Sequence, residues 1–456
     1  MRRPLLVLAV LASSCAATFC FGQSNQLDVF TGPVTSISPS GAFDVAGMHI
    51  TLAHPVEICN RVSEKSGLVE RCQDSTSFSA SDLFIGRQLE LSGHHSGKHT
   101  FKASKVFILP ATTGKISGAA IIDLIPATQP TNPDEHFIRA DGYLLRITPE
   151  TKFKFTAPLK SFADVATNQW IQYSGTQLND GTITLNSAAV LPNTISNTEN
   201  KMLYKSDYDP SAVPDDAHES AVKKALVGAD VKKIPPYRDA AMQARVERIG
   251  NSLVPAYQRV LPESDRTKVV FRFQIIDEKR WSDAVNTPAG VILVPHQLVE
   301  RMQNDDQLAT VLADNIAEAL EKDALRIRPV ATAALATTAA EYATITVPVV
   351  GLATGLSSLG LQGREAHEII AQLAQSGRVS LCLLHDAGYD INQAPIAWWL
   401  LAGKKDKPLD QVKLPIRAET LYDSLGSAWR NPAMTGPPPA KPSAASPAAG
   451  ASSTIP

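Results

Sequence analysis

The sequence predicts a multidomain chain: two tandem all-β small barrels followed by an α+β, mostly helical domain. Three observations predict it. Residues 27–195 are rich in Thr, Val, Ile and Ser and alternate apolar with polar residues in short runs, as in Leu89-Glu90-Leu91, Thr100-Phe101-Lys102 and Thr182-Ile183-Thr184-Leu185. That is the period of half-buried strands. The same stretch repeats itself: Gly32, Gly93 and Pro110 return 82 positions later as Gly114, Gly175 and Pro192. From Pro236 the apolar period lengthens to that of a helix, with Val246, Ile249, Leu253 and Tyr257 on one face.

The chain begins with Arg2 and Arg3, an apolar stretch from Pro4 to Ala12, and then small residues, with cleavage expected near Gly22. This pattern predicts a signal peptide over 1–22 and a periplasmic or secreted protein. Cys15 after Ala12-Ser13-Ser14 leaves a lipoprotein form open. Residues 27–110 and 111–195 are the two barrels, each of about five or six strands. Gly86 to Gly93 answers to Asn168 to Gly175, and Ile108-Leu109-Pro110 to Val190-Leu191-Pro192. The glycines are expected at turns and bulges, where a Cβ is unwelcome. Both copies resemble a small bacterial barrel repeat of unknown function, common in exported proteins. Cys59 and Cys72 lie in an insertion of the first copy. In an oxidising compartment they are candidates for a disulfide worth up to about 3 kcal/mol.

A polar connector is expected over 196–235 and the helical domain over 236–431. Within it, Val269 to Ile276 and Val291 to Val294 read as strands on either side of the Pro288-Ala289-Gly290 turn. Helices are expected from His296 to Gln303 and from Asp306 to about Leu325. Residues Tyr342 to Leu361 form an uncharged apolar run that reads as buried helical structure, since it is rich in Ala, Thr, Gly and Ser and contains Pro348. Residues 432–456 are Pro, Ala and Ser with almost no large apolar group, which predicts a disordered tail.

Composition narrows the function. With 43 basic against 45 acidic residues and 6% aromatic content, the chain has neither the basic footprint nor the stacking surface of a nucleic-acid binder. Its three histidines on one hairpin, His94, His95 and His99, suit an exposed tip more than a metal site.

The chemistry turns on Leu312-Ala313-Asp314-Asn315-Ile316-Ala317-Glu318. With Gln243 to Gly250, Asp283 to Val294, Asn304 to Leu312 and Ala387-Gly388-Tyr389-Asp390, it resembles the zinc endopeptidases of the CAAX prenyl protease, HtpX and BepA type over about Tyr237 to Ala402. In that family two histidines four apart on a helix bind zinc, the glutamate between them is the general base, and a glutamate on a later helix completes the set. Here the first histidine position is Asp314, the base position Asn315, the second histidine position Glu318, and the third-ligand position Leu373. The acidic residue that follows in the family falls at Gly377, and a slip of one residue would place Gln372 at the third position.

The resemblance therefore implies a catalytically inactive homologue with no catalytic residue, no metal and no cofactor. The strand Gly290, Val291, Ile292, Leu293, Val294 is its candidate peptide-binding edge, and a polypeptide or envelope protein its partner. Two alternatives stay open. One is an active enzyme with an atypical zinc site; the other is a ligand-binding protein whose barrels carry the function. Without a metal, Asp314 and Glu318 read as a charged helix face, with Glu318 paired to Lys322 four residues on.

Overall fold

The computed structural model describes residues 27–64, 67–75, 83–111, 113–197, 199, 200, 203, 235–278, 283–287, 289–323, 364–402, 416–427, 429, 431, 433 and 434. The expected signal peptide and the apolar run Tyr342 to Leu361 lie outside them, as does most of the connector.

The first barrel holds β1 (Asp28–Ile37), β2 (Phe43–Val45), β3 (Met48–Glu64), β4 (Gly67–Ser75), β5 (Gln88–Gly97) and β6 (Thr100–Ile108). The order β2-β1-β5-β6-β3 closes on itself through β2–β3, and β4 extends the far half of β3 as an antiparallel ribbon. A disulfide joins Cys59 and Cys72, which face each other across that ribbon.

The second barrel holds β7 (Gly114–Leu124), β8 (His136–Ala140), β9 (Tyr143–Ile147), β10 (Lys152–Phe155), β11 (Trp170–Gln177) and β12 (Ile183–Leu191). Its order β8-β7-β11-β12-β9 closes through β12–β9. Strand for strand this is the connectivity of the first barrel, with β3 divided into β9 and β10. The repeat glycines explain why the pattern is shared. Gly93 and Gly175 each follow a break in register, between Ser92 and Gly93 on β5 and between Ser174 and Gly175 on β11. A Cβ on Gly93 would stand 2.0 Å from Lys102 O, and one on Gly175 2.5 Å from Thr184 O. Both bulges therefore need glycine.

The remainder is mostly helical: α1 (Ala240–Leu253), α2 (Ala256–Val260), α3 (His296–Arg301), α4 (Asp305–Leu320), α5 (Arg364–Asp386), α6 (Ala394–Leu401) and α7 (Ile416–Ser427). A small sheet of order β13-β15-β14 joins them, with β13 (Arg272–Ile276), β14 (Val285–Asn286) and β15 (Val291–Pro295). The strand β13 starts three residues later than its apolar run, because the backbone N–H of Val269 is taken by Gln258 Oε1 at 2.9 Å. Among the described residues no helix is long and apolar enough to cross a membrane.

The two barrels join the helices differently. The core of the second barrel is continuous with the helical core: Ile121, Ile122 and Ile171 belong to one buried cluster with Tyr257, Leu320 and Val379. Arg139, buried on β8, bonds both Asp123 and Asp386 of α5. The first barrel keeps its own core around Val34, Met48, Leu89 and Phe101, into which the helices insert Trp399 and Tyr422. Of the expected tail, Ala433 and Met434 are packed, Met434 only 2% exposed, because its side chain reaches the main core. Ala433 and Met434, within the expected tail, thus belong to the packed part of the chain. The connector is anchored at its start, where buried Glu199 pairs with Lys322 at 2.8 Å.

Candidate functional site

Asp314, Asn315 and Glu318 lie on the last two turns of α4. This helix is capped by Asn304, whose side chain accepts from Gln307 N, and carries Asp305 and Asp306 in its first turn, where negative charge suits the helix dipole. Small and aliphatic residues let α4 run through the middle of the domain, against α1, α5 and α6. Asp314 is completely buried. A carboxylate in that position must find a cation or be neutral.

It finds Arg417, which no motif marked. The guanidinium arrives from α7 and is itself 6% exposed. Its Nη1 stands 2.9 Å from Asp314 Oδ2 and 3.2 Å from Asp283 Oδ2, and its Nη2 stands 2.8 Å from Glu318 Oε1. The face of the guanidinium covers the ring of Trp398 at 4.3 Å. Three carboxylates thus surround one planar cation whose flat side is closed by an indole. Glu318 Oε2 accepts from the Asn286 amide on β14.

One guanidinium cannot neutralise three carboxylates. Burial pushes Glu318 up to about 8 against the lowering pull of Arg417, with Asp314, Asp323 and Asp283 adding to the rise. Burial likewise raises Asp283 to about 7, opposed by Arg417 and reinforced by Asp314. Asp314 is also raised by burial, held back by Arg417 and by the nearby Ser376 hydroxyl. Arg417 goes the other way: burial alone would lower it, but Asp314, Asp283 and Glu318 hold it firmly charged. Protons on Glu318 and Asp283 near neutrality bring the cluster close to charge balance.

The remaining positions are tied into their own helices or buried. The Asn315 amide donates to Val311 O of its own helix at 2.9 Å. Leu373 on α5 is buried, and Ser376, one turn on, donates to its carbonyl. Gln372 is also buried, and among the described residues no donor meets its Oε1. The donor set does not suit zinc. It presents oxygens and a leucine where nitrogen or sulfur is preferred, and a guanidinium lies in ion-pair range of both ligand positions. Among the described residues the one acidic and sulfur group compact enough for a metal is Glu57 with Cys59 and Cys72, whose sulfurs are spent in the disulfide.

Two expectations are corrected. Glu318 does not pair with Lys322: α4 ends at Leu320 and Lys322 takes a left-handed backbone (φ 56°), so its amine turns to Glu199 and Thr194 O. The strand Gly290 to Val294 is not an edge. Val291 to Val294 pair with β13 on one side, while Ile292 and Leu293 pair with Asn286 and Val285 on the other. The outer flank of β13 is closed too, since Gln243 on α1 accepts from Ile275 N at 3.0 Å and donates to Phe273 O at 2.6 Å. Strand addition is left with β14. By alternation from the Thr287 N–H to Val291 O bond, the Asn286 backbone groups point away from β15. Asn286 and Glu318 line a cavity of about 250 Å³, with Tyr257, Gln258, Asn168 and Asn193 on its other walls.

The three hairpin histidines do not converge: His94 and His95 are exposed and pair with Lys102 and Phe101 across β5–β6. Trp398 and Trp399 are both buried, one over Arg417 and one in the first barrel.

Neither protein-family models nor curated proteins match this chain.

Arg417 left no trace in the sequence because an arginine on an amphipathic helix, 99 residues from Glu318, resembles a solvated one. The other signal was Asp283, whose place in the quoted Asp283-Ala284-Val285-Asn286 stretch could have flagged it.

Proposed function

We propose that the chain is an exported, catalytically inactive homologue of the zinc endopeptidases named above, which binds an extended polypeptide or serves as an envelope scaffold. The observation that carries this reading is the Arg417 guanidinium lodged between Asp314 and Glu318, the two positions that would hold the metal. With Asn315 bonded back to its own helix, neither a hydrolytic water nor a base to activate it has a place. The cavity beside β14 is the candidate peptide seat. Main-chain hydrogen bonds to Asn286 would align a guest strand, which needs no metal.

The test combines cleavage and capture. Purified mature protein, supplied with zinc, is incubated with a reduced, unfolded polypeptide and with short extended peptides carrying a fluorophore. Binding by anisotropy without cleavage by mass spectrometry is expected, and Asn286→Pro should weaken binding at least tenfold more than Asn286→Ala. Zinc-dependent cleavage would overturn the reading in favour of an active enzyme.

A further inference from the structure

The cluster around Arg417 has the features of a receptor and not of an incidental ion pair. Its groups come from three separate segments: Asp283 before β14, Asp314 and Glu318 one helical turn apart on α4, and the arginine on α7. Both terminal nitrogens of the guanidinium face carboxylates, its central carbon lies over the Trp398 ring, and the aspartates are almost wholly buried. A surface salt bridge needs none of this. The arrangement resembles the way a protein encloses a ligand cation, with charge in the plane and an aromatic wall on the face.

We infer that Arg417 has taken the place of the metal ion, so that Asp283, Asp314, Glu318 and Trp398 form an internal receptor for a guanidinium group. That Arg417 replaces a metal rests on the proposed ancestry; the receptor itself rests on the contacts alone. The ligand class follows from the shape. A planar monocation with two terminal NH2 groups spans the carboxylates on both sides, whereas a spherical ammonium is a single point charge.

The experiment is chemical rescue of the full chain. Arg417→Ala should lower the thermal midpoint, and millimolar methylguanidinium chloride should recover a saturable part of it, by about 3 °C or more. Sodium chloride, methylammonium chloride and urea at the same concentration should not, and Asp314→Asn combined with Arg417→Ala should abolish the recovery. Equal responses to methylguanidinium and methylammonium, or an equal response in the parent protein, would overturn the receptor. If Arg417→Ala does not fold, the intact protein decides by nitrogen-15 NMR of its arginine side chains. Arg417 Nη protons should be protected and slow to rotate; exchange as fast as that of exposed Arg259 would overturn the inference. Peptide capture is untouched by either result, so this failure is separable from that of the proposed function.

Discussion

Arg378 on α5 donates to the backbone carbonyl of Asp141 and pairs with its carboxylate, which also accepts from Tyr173 at 2.6 Å. Asp141 and Gly142 form the two-residue turn between β8 and β9, both with positive φ, as such hairpins require. The turn is thus both the corner of the second barrel and its attachment to the helices.

Gly142→Ala should therefore destabilise the chain by about 2–3 kcal/mol. The new methyl would lie 2.5 Å from Arg378 Cβ, at a backbone angle that L side chains avoid. Urea unfolding should show the midpoint falling for barrel and helices together, since they share one core.

Stability should fall as pH rises through the neutral range. Glu318 and Asp283 have folded-state values of about 8 and about 7, above the ordinary carboxylate range of an unfolded chain. Between the two ranges the folded state binds more protons than the unfolded, so the slope with pH is negative. Their contribution is fully present below about pH 4 and is lost by about pH 8. Urea midpoints measured from pH 5 to 8.5 should decline, and Glu318→Gln should flatten the upper part of the curve.

Gln243→Leu should cost about 1–3 kcal/mol, because it strips partners from Phe273 O and from the buried Ile275 N–H. It also uncovers the part of the β13 flank that Pro235 to Tyr237 do not cover, so the variant should self-associate more readily in light scattering.

Building a zinc site here should require removing Arg417. The quadruple change Asp314→His, Asn315→Glu, Glu318→His and Leu373→Glu should bind no stoichiometric zinc while Arg417 remains. With Arg417→Ala added it should bind one equivalent, read by elemental mass spectrometry.

Reducing the Cys59–Cys72 bond should lower the stability of the first barrel by up to about 3 kcal/mol. The second barrel should be less affected, because among the described residues the buried side chains of β3 cluster within the first barrel. Tryptophan and far-ultraviolet transitions that separate on reduction would check this.

The barrels were legible because their glycines are demanded by local geometry: a bulge at Gly93 or Gly175 leaves its mark in one residue and recurs at a fixed interval. The helix bearing Asp314 and Glu318 was legible from its cap and period. The pairing of Glu318 was misjudged because the i to i+4 rule presumes a helix that continues, and α4 stops at Leu320. The edge was misplaced because β14 is two residues long and carries no period of its own. Arg417 depends on tertiary folding alone, and local pattern holds no information about which distant carboxylates will meet it.

The four contacts of Arg417 also constrain substitution. If Asp314 or Glu318 alone became histidine, an imidazole would face a buried guanidinium with less negative charge to hold it. If Arg417 alone were lost, three carboxylates, two of them almost wholly buried, would face one another. Each single change lowers stability. The cluster behaves as an evolutionary ratchet: lineages carrying it can reshape the groove beside β14 residue by residue, but the residues around Arg417 can change only together.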